Sequence, residues 1–351
     1  MLTMKTHAII PVFIPHKGCP NDCVFCNQKA ITARQADVGP EDVENLIESY
    51  LPTLRGRNLK TIELAFFGGS FTGIPIEEQS AFLEVAKKYK SAGLIDKIHM
   101  STRPDYIDEE ILDNLRKYDA DIIELGVQSF APDVLLASNR GHTTEDVYRA
   151  CELIKAYGFE LGIQLMIGLP RDTREKCIFS AKEAVKIAPS IARLYPTIVL
   201  NDTELYSMYR RGEYEPLSTE EAIDTTKEMY KILDGAGINI IRVGLKSTDL
   251  ITEGGEIQGH TFHPAFRQLV EGEIAKEQLE EQLLRLMQSA ACGNGEEGLS
   301  YSFCSSGNSF SNMIGNCKRN KNYFAARYPS LKIKYKVDSS LDDGRYIVVK
   351  C

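Results

Sequence analysis

No stretch of these 351 residues comes near the roughly 18 uninterrupted apolar positions that a membrane span needs. No leader is expected from the first residues either. Met1 to Thr6 carries a lysine but runs into Ala8-Ile9-Ile10-Pro11-Val12-Phe13-Ile14, which is short, broken by proline and followed by no small-residue cleavage site. A cytoplasmic protein without a membrane partner is expected. A secreted disulfide framework is also lacking, because the nine cysteines are odd in number and three of them fall within eight positions. That crowding points to metal chemistry in a reducing compartment. Cys151 and Cys177 fall inside helical patterns and read as small core hydrophobes. Missing as well is a Gly-x-Gly-x-x-Gly after the first strand, which counts against a dinucleotide-binding open sheet.

What is present, over the first ~245 residues, is an alternation of short apolar runs with amphipathic helices, the pattern of parallel β/α units. Strands are expected at 8–14, 61–67, 97–101, 122–127, 160–167 and 192–200, with 238–243 as a further candidate. Val43, Leu46, Ile47, Tyr50 and Leu51 mark one helical face, Ser218-Thr219-Glu220-Glu221 forms a capping box, and Gly237 ends the helix it opens. The fold class is therefore α/β, a partial (β/α)6 TIM-type barrel with a small C-terminal α/β module. Reactive residues belong at the C-terminal strand ends. There the sequence places the cysteine loop, Gly68-Gly69-Ser70, Ser101-Thr102-Arg103-Pro104, Gln128 and Gly168-Leu169-Pro170.

Three segments are expected: a core over 1–245, a connector and helix over 246–299, and a small basic module over 300–351. A glycine-rich stretch (Gly254, Gly255, Gly259) leads to His263-Pro264 and a charged helix that runs to about Ser289. The last 51 residues hold nine Lys and Arg against three Asp, hence +6 on a chain of net charge −8. Such asymmetry suggests a nucleic-acid partner, and Gly315-Asn316-Cys317-Lys318-Arg319-Asn320-Lys321 before Tyr323-Phe324 combines charge with aromatic rings. A solvated helix face is the plainer reading of the same residues.

Cys19-Pro20-Asn21-Asp22-Cys23-Val24-Phe25-Cys26 puts three thiols on one loop with no fourth cysteine nearby. As ligands of a [4Fe-4S] cluster, Cys19, Cys23 and Cys26 would leave one iron open to a further ligand. A zinc site would want a second pair or a histidine, and His16 is the close candidate. Phe25 would pack beside the cluster or fill core. Gly68 and Gly69, lacking Cβ atoms, let backbone approach a ligand closely, or simply make a turn. His142, His260, His263 and Tyr195 receive no assigned role.

Together these residues resemble the radical S-adenosylmethionine (SAM) superfamily, whose loop is Cys-x3-Cys-x-aromatic-Cys. The stretches Ser101 to Asp105, Glu124 to Ser129, Asn139 to Thr143, Leu194 to Thr197, Thr203 to Tyr206 and Arg211 to Tyr214 are similar to the radical SAM domain of the Elongator catalytic subunit. The likeness covers roughly residues 5 to 245, and that family's acetyltransferase domain is not expected within these 351 residues. The resemblance implies a [4Fe-4S] cluster and SAM as cofactors, cleavage of SAM to a 5′-deoxyadenosyl radical, and a flavodoxin- or ferredoxin-like reductant. It also implies modification of an RNA substrate resembling transfer RNA. Similarity to the oxygen-independent coproporphyrinogen oxidases implies that Gln128 and Arg140 hold the methionine carboxylate. In those relatives acidic residues match Ser101 and Gln164 at the ribose, and both are neutral here. Two other functions stay open: a radical SAM enzyme acting on a small molecule or protein, and a non-catalytic iron–sulfur RNA-binding protein.

Overall fold

The computed structural model describes residues 6–14, 19, 23–27, 38–245, 257–291 and 300–351. Its two compact units divide between Pro264 and Ala265.

The first unit is built on one parallel sheet of seven strands: β1 (His7–Ile14), β2 (Thr61–Gly68), β3 (Lys97–Thr102), β4 (Ile122–Gln128), β5 (Glu160–Ile167), β6 (Ile191–Pro196) and, after a short detour, β8 (Asn239–Val243). Parallel neighbours need long crossovers. Helices supply them: α1 (Pro40–Leu54), α2 (Ile76–Ser91), α3 (Glu109–Lys117), α4 (Pro132–Ala137) with α5 (Thr144–Ala156), α6 (Arg174–Ile187), then α7 (Glu204–Arg210) and α8 (Thr219–Gly235). The sheet curls as a half-barrel. Its outward strand positions are aliphatic and fully buried, among them Leu64, Ile98, Ile123, Leu125, Ile163 and Leu194. Cys151 and Cys177 lie in the same packed layer, where burial pushes the Cys151 thiol up to about 12 and raises that of Cys177 too.

Two strand expectations change in the structure. The run over 192–200 splits at Pro196, whose missing N–H cannot continue the ladder. Beyond it β7 (Val199–Leu200) pairs antiparallel with β9 (Ile257–Gln258) instead. The further candidate at 238–243 becomes β8, a seventh strand parallel to β6. The expected caps form as hydrogen bonds: Ser218 Oγ accepts from Glu221 N, and Gly237 takes the left-handed φ of +77° behind α8.

The second unit holds α9 (Phe266–Ala291), β10 (Ser300–Ser305), α10 (Phe310–Ile314), α11 (Arg319–Arg327), β11 (Lys332–Val337) and β12 (Tyr346–Lys350). Strand β10 is central, parallel to β11 and antiparallel to β12. The helix expected within a connector over 246–299 belongs to this unit. Its Ala275, Leu279 and Leu283 share a core with Tyr301, Phe303, Phe324, Tyr346 and Val348, because only that face of the helix is apolar. Gly254, Gly255 and His16 lie outside the described residues.

Candidate cluster and cofactor site

The chain around the cysteines is pinned by its own backbone to the end of α4 and the start of α7. Val24 N donates to Ser138 O at 3.1 Å, Leu205 N donates to Val24 O at 2.7 Å, and Cys26 N closes a turn onto Cys23 O at 2.9 Å. Cys23 is buried, and Cys19 and Cys26 are half-buried. Phe25 lies half-buried between two apolar groups, Val199 with Leu205 and Tyr214 on one side, Ala131 with Val134 and Leu169 on the other. Those contacts are core filling. Among the described residues no three His, Cys, Asp or Glu side chains converge closely enough to hold a metal ion.

Arg140 joins the cysteine loop to strand β4. Its Nη1 donates to Cys23 Sγ at 3.4 Å, its Nη2 to Gly126 O at 2.6 Å, and its buried Nε has no partner among the described residues. Gly126 must be glycine for this to happen, since a Cβ there would stand 2.7 Å from Arg140 Nη2 and 3.0 Å from Gln128 Nε2. A bulge between Gly126 and Gln128 turns Gln128 to a left-handed φ of +69° at the strand end. Gln164 Nε2 donates to Gln128 Oε1 at 3.2 Å, which orients the Gln128 amide with its own N–H groups left as donors. Gln128, Arg140 and Gln164 are thus brought together beside Cys23. Gly68, at φ +111°, faces the end of β1, where a Cβ would meet Ile14 O at 2.7 Å, while Gly69 N donates to the same carbonyl at 2.9 Å. That pair makes the close approach of two strands, and Gly69, with Ser101, lines a shallow hollow.

A second guanidinium here escaped sequence reasoning, although its motif was noticed. Arg103 is 1% exposed, forked onto Asp105 at 2.9 and 2.8 Å, with Nη1 unpartnered among the described residues. Burial pulls its pKa down, but the Asp105 carboxylate more than offsets this and raises it. Burial likewise raises the Cys19 thiol, while the Arg140 and Arg103 charges pull it back. His142 stays neutral: burial, then the charges of Arg140 and Arg103, depress it to about 3, and its Nε2 donates to Val127 O at 3.2 Å. The donor set, three thiols beside two buried guanidinium groups with unsatisfied N–H, fits an anionic cluster and a carboxylate ligand.

Deeper in the half-barrel the inward strand positions form a polar chain. His7 Nε2 meets Glu63 Oε2 at 3.1 Å, Glu63 Oε1 meets His99 Nδ1 at 2.6 Å, and His99 Nε2 lies 3.6 Å from Glu124 Oε2. Arg193 Nε donates to Glu124 at 2.7 Å and Arg193 Nη1 to Tyr195 OH at 3.2 Å, with its guanidinium 4.8 Å from the Phe67 ring centre. Ser101 Oγ reaches down to Glu124 at 3.5 Å. Burial pushes the Glu63 carboxyl up, but His99 and then His7 outweigh it, so it titrates below the usual range. The sequence signal was alternation alone, which reads as a solvated face.

The radical SAM superfamily profile matches residues 13–184, and that of the Radical_SAM C-terminal domain matches 189–276. The chain belongs to the radical SAM superfamily. Within that superfamily it is 29% identical over 264 residues to a tRNA uridine(34) acetyltransferase of Methanocaldococcus jannaschii, covering 63% of this chain and 48% of that protein. It is 26% identical over 271 residues to human Elongator complex protein 3, covering 64% and 49%. This radical SAM chain thus spans about half the length of the curated relatives it matches. Among solved structures, Methanocaldococcus infernus Elp3 with its N-terminus deleted superposes with a TM-score of 0.63 at 25% identity, covering 79% of this chain and 64% of that one. No helix among the described residues is long and apolar enough to cross a membrane.

Proposed function

We infer that the protein is a cytoplasmic radical SAM enzyme that modifies an RNA, using a [4Fe-4S] cluster on Cys19, Cys23 and Cys26. The observation that carries this is the Arg140 guanidinium, held between Cys23 Sγ and Gly126 O next to a Gln128 amide whose Oε1 accepts from Gln164. When bound, the cluster supplies one electron, from a flavodoxin- or ferredoxin-like reductant, that splits a C–S bond of SAM into methionine and a 5′-deoxyadenosyl radical. Arg140 and the Gln128 amide together offer a carboxylate two kinds of donor, one of them charged, and so would hold the methionine end. Arg140 at the same time lends positive charge to the thiolate of Cys23. Ser101 and Gln164, one strand to either side of β4, would meet the ribose with neutral groups. The RNA substrate is supported by the similarity to a tRNA uridine(34) acetyltransferase and to Elongator complex protein 3.

The test is anaerobic reconstitution with iron and sulfide, reduction with dithionite and addition of SAM. 5′-Deoxyadenosine is expected from the wild type and at least a thousandfold less from Cys23→Ala. A loaded wild-type cluster that yields none would refute the enzymatic reading.

A further inference from the structure

The aromatic rings that follow the basic run at 318–321 are not available to a ligand. Phe324 is fully buried against Phe303, and Tyr323 OH is bonded to Glu280 at 2.8 Å. Charge is instead displayed on strand β11, whose sequence Lys-Ile-Lys-Tyr-Lys-Val alternates strictly. Ile333 and Tyr335 turn inward, Tyr335 at 5.6 Å from the Phe303 ring, while Lys332, Lys334 and Lys336 are exposed on the opposite face. With a strand rise of about 3.3 Å, their Cα atoms follow one another at about 6.6 Å. The strand lies at the sheet edge, and its register sets the three lysines beside Ser300, Ser302 and Cys304 of β10, with Val349 and Ile347 of β12 beyond. This face therefore carries a straight row of ammonium groups flanked by small side chains.

Among the described residues none of the three lysines makes an ion pair or a side-chain hydrogen bond, whereas Lys88, Lys90, Lys97 and Lys176 in the first unit and Lys276 in the second each face a carboxylate. The acid next to β11, Asp338, is occupied by its own turn, accepting from Ser340 N and Oγ at 3.0 and 2.6 Å. Three uncompensated like charges on one edge repel one another, and a linear polyanion relieves that repulsion.

We propose that this open face of the C-terminal sheet binds the phosphate backbone of an RNA strand, with Lys332, Lys334 and Lys336 as phosphate contacts. The proposal rests on the RNA reading above. Lysine is a point charge that reads phosphate and not base, and no aromatic ring stands on this face, so the contact positions the strand without selecting sequence.

The full-length protein is titrated into a fluorescein-labelled RNA hairpin, read by anisotropy over a series of KCl concentrations. The variants are the triple Lys332→Gln/Lys334→Gln/Lys336→Gln and a charge-matched control, Lys318→Gln/Lys321→Gln/Lys350→Gln. At low salt the β11 triple is expected to bind at least tenfold more weakly. Its slope of log K against log salt should be shallower by about 2, at about 0.7 per single-strand phosphate contact. The control should lose less than threefold. Equal loss in both variants would overturn the proposal, as would unchanged RNA binding with self-association of the β11 triple, which would make the lysines edge guards. Wild-type protein that binds phosphatidylserine vesicles but not RNA would overturn it too. 5′-Deoxyadenosine formation without RNA is measured in parallel and should be unchanged in the triple. If the wild type cleaves no SAM yet binds RNA through β11, the catalytic reading fails and this one stands.

Discussion

A single missing methyl group lets Arg140 reach Cys23. Gly126 lies under the guanidinium, and replacing its hydrogen with a Cβ puts carbon 2.7 Å from Nη2. Gly126→Ala therefore makes Arg140 Nη2 shift away from Gly126 O. We expect folding stability to fall by about 1–3 kcal/mol, the usual range for an overpacked buried site. SAM affinity of the reconstituted protein, by calorimetry, should fall at least tenfold. Unchanged affinity would mean that Arg140 does not touch the cofactor. The Gln128 and Arg140 assignments came from resemblance to a family. Their neighbour Gly126 was legible in the sequence only as a letter within Glu124 to Ser129, because what makes it necessary is a side chain fourteen residues away. Arg103 was missed for a similar reason, since nothing local distinguishes a buried arginine from a surface one.

At the scale of elements, apolar runs gave away the strands because parallel strands covered by helices must be aliphatic on their outward side. Pro196 escaped, because one proline splits what hydrophobicity alone shows as continuous, whereas the further candidate at 238–243 is the seventh strand, β8. The inward side was the larger omission. Glu63, His99, Glu124 and Arg193 occupy every-other positions on four strands, and alternation of apolar with charged residues ordinarily means a face in water. Curvature of the sheet reverses that and buries the charges. His99→Leu leaves Glu63 with a single partner, and losing one member of a buried pair costs about 3–5 kcal/mol. The sign with pH follows from the depressed Glu63 carboxyl. Its stabilisation is fully present above the ordinary value of 4.5 and disappears as pH falls through the lower folded value. Urea melts of wild type and His99→Leu should differ most near pH 7 and converge below pH 4. A gap that widened in acid would contradict the assignment of Glu63 as the ionised partner.

For the whole molecule, the division at Pro264 and Ala265 assigns helix α9 to the basic module. Sequence composition suggested otherwise: the helix is acidic, the tail is basic, and a change in charge looked like a boundary. The apolar stripe of α9, with Leu279 and Leu283 against Phe303 and Phe324, outweighs the charge pattern. The fragment Ala265–Cys351 is accordingly expected to fold alone and melt in one cooperative transition by circular dichroism. A fragment starting at Ser300, without α9, should show none. A gradual loss of signal from the longer fragment would refute the independence of the unit.

The Glu63 to Arg193 chain also bears on how such a protein changes over generations. Losing one partner strands a buried charge, yet exchanging both for well-packed apolar groups can be nearly neutral. Inherited substitutions at these positions should consequently arrive in company, Glu63 with His99 and Glu124 with Arg193, so that aligned descendants would show statistical dependence between strands far apart in the chain.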